Sequence, residues 1–136
     1  MSWDIFVQDL PRDARSIADI PAEFRPKAIG SRTDVIEKIR ELLPEADFSD
    51  PSWGRIDNED WSIEVNLGKD EDCTSFALHV RGGDAVVGVI AGILAHLDLR
   101  ALDSQTGDFF VAGPQALESF QKWRAYRGQV VNKRAG

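Results

Sequence analysis

The sequence holds a single cysteine, Cys73, a single methionine, a single tyrosine and two histidines in 136 residues. One cysteine forbids an intramolecular disulfide, and with His79 and His96 as the only imidazoles a structural zinc site would have to be completed by carboxylates. No metal site and no cofactor is expected. His-Glu-x-x-His, Cys-x-x-Cys and Gly-x-Ser-x-Gly are all missing. Cys73 follows Asp70, Glu71 and Asp72, neighbours that raise a thiol pKa rather than lower it, so a cysteine nucleophile is disfavoured. Positive charge is also short. Sixteen Lys and Arg stand against 23 Asp and Glu, a formal charge of −7, which removes the basic footprint that nucleic acid or an anionic membrane would need. The longest apolar stretch, Ala85 to Leu97, is about half of a bilayer span. The first nine residues lack the basic start and apolar run of a signal peptide. The expectation is a cytoplasmic protein, one domain over residues 1–136, bound neither to nucleic acid nor to a membrane.

What is present is enough apolar material, 43%, for one core. Trp3, Ile5 and Val7 alternate with polar or outward positions, the period of a strand. Prolines at 11, 21 and 26 break the stretch that follows, although Ala14 to Ile20 has room for about two helical turns. Ser31 is an N-cap ahead of a helix whose apolar face is Val35, Ile36, Ile39, Leu42 and Leu43, and Pro44 ends it. Ser52 to Asp57 and Trp61 to Leu67 read as a hairpin around Asn58-Glu59, with Cys73 to Arg81 as the third strand of a meander. Asp84 is placed to cap a second helix, Ala85 to Leu97, apolar nearly all round and therefore central. Ala101 to Gln105 and Asp108 to Val111 flank the turn Thr106-Gly107, and Gly113-Pro114 opens a last helix to about Arg127. This order predicts an α+β fold, a single mostly antiparallel sheet with about three helices packed mainly on one face.

Aligning Val65 with Phe76 puts Ile63 against Leu78 and Trp61 against Val80, all on one face. The opposite face then carries Trp53, Arg55, Ser62, Glu64, Asn66, Ser75, His79 and Arg81, joined by Asp103, Gln105 and Asp108 if the second hairpin presents its polar side the same way. Carboxylate, imidazole and guanidinium on one surface can hold a polar ligand or move protons. In an enzyme the catalytic set would be Glu64, His79 and Arg81, with Arg55 beside them. The plainer reading is a solvated sheet face laced by charge pairs such as Asp60 with Arg81.

Charge is unevenly placed. Residues 45–72 carry ten acids against Arg55 and Lys69, and residues 122–134 carry five bases and no acid. Asp57, Glu59 and Asp60 lie at one end of the strand Trp61 to Leu67 and Asp70, Glu71 and Asp72 at the other, roughly 20 Å apart, too far to share a metal. Such acids suit a basic partner. Gly88 and Gly92 have the spacing that lets a second backbone approach, on the sheet, a neighbouring helix or a homodimer partner, so the chain is a monomer or a homodimer. Arg81-Gly82-Gly83-Asp84 lacks the spacing of a phosphate loop and reads as a tight turn.

Three segments, Trp3-Asp4-Ile5-Phe6-Val7-Gln8-Asp9, Val80-Arg81-Gly82-Gly83-Asp84 and Ala101-Leu102-Asp103-Ser104-Gln105-Thr106-Gly107, resemble a family of small bacterial proteins with no assigned activity. The Asp-x-Gln-Thr-Gly hairpin is similar to turns in immunity proteins of bacterial toxin systems. That likeness implies a domain that binds a toxin and blocks it, the acidic segment suiting a basic nuclease toxin, and it brings no site residues with it. The reading that results is a soluble, non-enzymatic protein-binding domain using Arg55, Asp57, Glu59, Asp60, Glu64, His79, Arg81, Asp103 and Gln105. The alternative is a small-ligand binder or hydrolase-like enzyme on the same face, which needs those side chains to converge in a concave pocket.

Overall fold

Trp3, Ile5 and Val7 are fully buried, and the strand that carries them, β1 (Trp3–Gln8), lies inside the sheet. A computed structural model describes residues 2–135, with side chains through residue 126. The further elements are β2 (Gly30–Ser31), α1 (Arg32–Leu42), β3 (Trp53–Asp57), β4 (Trp61–Asn66), β5 (Asp72–Cys73), β6 (Ser75–Gly82), α2 (Val86–Leu97), β7 (Arg100–Asp103), β8 (Asp108–Phe109) and α3 (Pro114–Ala135). Six strands form one antiparallel sheet in the order β3-β4-β6-β1-β7-β8, and β2 pairs with β5 beside it. The expected α+β architecture is the one found. One face of the sheet packs on all three helices through a single core that joins Trp3, Ile5, Val7, Ile63, Val65, Leu78 and Val80 to Val35, Ile39, Val86, Ile90, Ile93, Phe120 and Trp123. No helix among the described residues is long and apolar enough to cross a membrane.

The register differs from expectation by two residues. Val65 faces Leu78, Ile63 faces Val80 and Trp61 faces Gly82. Because side chains alternate with period two, an even slip leaves the same residues on the same face, so the predicted division of the meander into an apolar and a polar side holds. The third strand is shorter than expected, since Thr74 separates β5 from β6 and sends Cys73 to pair with Gly30.

Local chemistry explains the helices and corrects three expectations. Ser31 Oγ accepts from the backbone N–H of Asp34 at 3.0 Å, the expected cap of α1. Asp84 does not cap α2. Its carboxylate turns to α3, where it takes Arg124 at 2.7 Å and Gln121 at 3.2 Å, because a charged partner outbids a backbone donor. Gly82 lies at φ 116°, and a Cβ there would collide with the carbonyl of Asp60, so the strand-to-helix junction needs glycine for close approach. On α2 the two spaced glycines part company. Gly92 sits against Leu42 of α1, while Gly88 is exposed with nothing near it, and α2 is therefore solvated along a stripe of small residues rather than buried all round.

Residues 10–29 form a strap instead of two helical turns, with only the 3₁₀ turn Ile17–Asp19. Arg100 donates to the carbonyls of Pro11 and Ala14 at 2.5 and 2.7 Å while its guanidinium covers the ring of Phe109. Arg12 reaches the carboxylate of Asp98 at 2.8 Å. Leu10, Ala14 and Phe109 make a small second cluster beneath the strap, with Ile20, Phe24 and Leu102 packed on it. The last helix runs past the expected Arg127.

Candidate functional site

The sheet face turned away from the helices is built in rows set by the strand register. Arg55, Glu64, His79 and Asp4 stand side by side on β3, β4, β6 and β1. One row along come Asp57, Ser62 and Arg81. In the other direction come Trp53, Asn66, Ala77, Phe6, Leu102 and Phe109. The alternation that buries Ile56, Ile63, Val65, Leu78 and Val80 forces every one of these residues outward.

Neighbouring charges settle into pairs. His79 Nδ1 lies 2.8 Å from the Asp4 carboxylate, and Arg81 lies 3.3 Å from Glu64 rather than pairing with Asp60 as expected. Arg55 lies 3.8 Å from Asp57. The indole of Trp53 stacks on the His79 ring at 5.4 Å with an interplanar angle of 16°. Trp53 is 39% and Phe6 43% exposed, so two large aromatic surfaces are held open to solvent on a rigid sheet. Beside this face, Asp47 and Asp50 accept from the backbone N–H and hydroxyl of Ser49 and Ser52, bonds that hold both carboxyls below the ordinary carboxylate value.

The structure brings together Arg55, Asp57, Glu64, His79 and Arg81 on the face, with Glu59 and Asp60 exposed in the turn at its end. It does not bring Asp103. That side chain is 2% exposed on the helix side, where it accepts from Trp3 Nε1 at 2.8 Å, Ser119 Oγ at 2.5 Å and the N–H of Gln105 at 2.8 Å. The reason is register: Ile5 pairs with Asp103 and Val7 with Ala101, so the inward strand β1 carries both β7 residues inward with it. Gln105 is exposed in the turn that Asp103 anchors, and Asp108 is spent on the strap, accepting from the N–H of Ile17 at 3.0 Å. Sequence reasoning missed Asp4, Phe6 and Gln8. The signal was present in the alternation of β1, but the position of that strand beside β6 was not legible.

Glu64 and His79, which a hydrolase would use together, each hold a different partner, and the depressions near them are separate. Arg55 lines a hollow of about 180 Å³ with Asp47, Asp50 and Trp53. Arg81 lines another of about 280 Å³ with Glu59, Asp60 and Ser62. A third, about 400 Å³, lies over Ala77 between Phe6 and Asn66. Among the described residues no group of three or more His, Cys, Asp or Glu is placed to hold a metal ion. Comparison with family models, with curated proteins and with solved structures finds no match for this chain.

Proposed function

We propose that this protein binds another protein through the open face of its sheet, without catalysing a reaction. The observation that carries the reading is the pairing of two exposed aromatics, Trp53 and Phe6, with ion-paired arginine and carboxylates on one rigid, broad surface. Tryptophan and arginine are the residues that dominate protein interfaces, and a stacked, ion-paired side chain loses little freedom on binding. The edge of the sheet is a poorer place for a partner strand, since at Arg55 the backbone of β3 is already bonded to Asp47 at 2.8 and 2.9 Å. The acids Asp57, Glu59 and Asp60 at the margin suit a basic partner, such as the toxin domain that the likeness to immunity proteins implies.

The test begins with capture and identification of the partner, then measures binding of the purified pair. Trp53→Ala should weaken binding by about 2 kcal/mol or more, chiefly through faster dissociation. Exchanging Asp57, Glu59 and Asp60 for amides should slow association and flatten its salt dependence. Glu118→Lys, on the exposed surface of α3, should do neither. A partner that binds the Trp53 and amide variants at parental rates would place the interface elsewhere and end this reading.

A further inference from the structure

The outward row of the sheet does not end at Phe6. Leu102 and Phe109 continue it on β7 and β8, and there the strap packs on it. Phe109 is 3% exposed against Leu10 and Ala14, whereas Phe6, next but one in the same row, is 43% exposed. One apolar row thus has a covered end and an open middle. The two meet at Leu102, which packs on the strap cluster and also lines the hollow over Ala77.

The strap is held unevenly along its length. From Pro11 to Ile17 it is pinned to the body: Arg100 donates to the carbonyls of Pro11 and Ala14, Arg12 reaches the Asp98 carboxylate at 2.8 Å, and the amide of Ile17 donates to Asp108 at 3.0 Å. Leu10 and Ala14 are buried as well. From Ile20 to Ala28, by contrast, no described residue bonds outside the strap. Ile20 donates to Ile17, Phe24 to Pro21 and Arg25 to Phe24, and the next tie to the body is the amide of Ile29 on the carbonyl of Cys73 at 2.7 Å. Ile20 and Phe24, each only partly buried on the cluster, are what hold this stretch, and apart from Pro26 its other residues are exposed. Ordering a segment costs conformational entropy at every residue, and two half-buried side chains offset little of it. The second half of the strap therefore belongs to the least stable part of the fold, while the pinned half does not.

We propose that residues 20–28 are a hinged cover at the far end of the sheet face, which lifts as a unit between Ile17 and Ile29 and which the partner must displace. The surface that Ile20 and Phe24 vacate adjoins Leu102 and, through it, Phe6, so the open form offers a longer apolar row than the closed one. This rests on the reading of the sheet face as a protein-binding surface and adds a closed state that holds part of that surface back.

Limited trypsin digestion of the folded full chain, with each cut scaled to its rate in the denatured chain, tests the opening. Lys27 and Arg15 are both exposed, but only Arg15 lies in the pinned half, so scaled cleavage after Lys27 should be roughly tenfold faster or more. Phe24→Ala removes one of the two side chains that hold the cover. It should raise binding of the dye 8-anilinonaphthalene-1-sulfonate severalfold, and adding Leu102→Asn should take that gain away. A partner captured in the Trp53 experiment should bind Phe24→Ala roughly three- to tenfold more tightly than the parent, because a closed state no longer withholds part of the population. Equal scaled cleavage after Lys27 and Arg15, dye binding unchanged by Phe24→Ala, or a partner bound no more tightly by that variant would each overturn the proposal. The trypsin comparison uses the parent chain and decides the opening should Phe24→Ala not fold. The two readings fail separately: a partner lost with Trp53→Ala but held equally by the parent and by Phe24→Ala leaves the sheet face standing and removes only the cover, whereas a partner indifferent to Trp53→Ala ends the reading of the face.

Discussion

The indole N–H of Trp3 donates to the carboxylate of Asp103 at 2.8 Å across the β1–β7 pair, and both side chains are sealed from solvent. Trp3 also packs on Phe120 with ring centroids 4.9 Å apart, and Ser119 of the same helix donates to the other oxygen of Asp103. One carboxylate thus ties the middle strand, the β7–β8 turn and α3 together. A charge so placed is tolerated because its hydrogen-bonding capacity is filled, and among the described residues no buried side-chain nitrogen or oxygen lacks a partner.

Asp103→Ala should therefore leave two buried donors unpaired, at about 1 to 3 kcal/mol each. Asp103→Asn keeps an oxygen for the indole and an amide that the Ser119 hydroxyl can accept from, and should cost about half as much. Urea unfolding of both variants checks this. Equal losses would mean that charge, and not hydrogen-bond satisfaction, is what the site requires.

Where the sequence was a good guide, the cause was local or periodic. Ser31 caps α1 through an atom three residues away, and alternation alone assigned Ile63, Val65 and His79 to the correct faces even with the register two residues off. Where it was a poor guide, a distant partner decided. Asp103 read as a surface acid because nothing local says that Trp3 lies across from it. Asp84 read as a cap because Arg124 is forty positions away in sequence and adjacent only in space. The candidate site suffered likewise, since half of its centre, Asp4 and Phe6, comes from a strand whose neighbours no short-range pattern specifies.

Acid should weaken the fold through a few exposed carboxyls. Hydrogen bonds from Ser49 and Ser52 hold Asp47 and Asp50 below the ordinary value of 3.8, and the Arg12 guanidinium does the same for Asp98. With the folded pKa below the unfolded one, the unfolded chain binds more protons at low pH, so this stabilisation is complete above about pH 5 and is lost as pH falls below about 4. Replacing the three aspartates by asparagine should leave stability at about pH 3 closer to its value at about pH 6 than in the parent. A pH dependence as steep as the parent's would assign the acid sensitivity to other carboxyls.

Cys73 should be nearly inert in the native protein. It is 2% exposed, its Sγ faces the carbonyl of Ser75 at 3.5 Å, and burial pushes its thiol pKa up, so both access and thiolate fraction are low. A chromogenic disulfide reagent at about pH 8 should react slowly with the folded chain and rapidly after denaturation. Native reaction as fast as the denatured one would show that β5 opens from β2 readily.

Helix α2 separates two consequences that its apolar composition had merged. Ile90 is fully buried in the core shared by the sheet and the helices, so Ile90→Ala should open a cavity and cost about 2 to 5 kcal/mol. Gly88 looks as apolar in sequence, but a Cβ there meets nothing within 4 Å, and among the described residues no second backbone lies against it. The close approach of a second backbone that the Gly88 and Gly92 spacing suggests is therefore not made at Gly88, and a side chain there has room. Gly88→Ala should instead stabilise the helix by about 0.5 to 1 kcal/mol, because alanine loses less backbone freedom on folding than glycine does. A Cβ at Gly92 would stand 3.8 Å from Leu42, an ordinary contact, so alanine should be accepted there while a leucine would push α1 away. Urea unfolding of Ile90→Ala, Gly88→Ala and Gly92→Leu should thus give a loss, a small gain and a loss. A loss at Gly88 comparable to that at Gly92 would show that the exposed stripe of α2 is covered in solution, by a second copy of the chain or by side chains outside the described residues, and the denaturation midpoint's dependence on protein concentration would tell which.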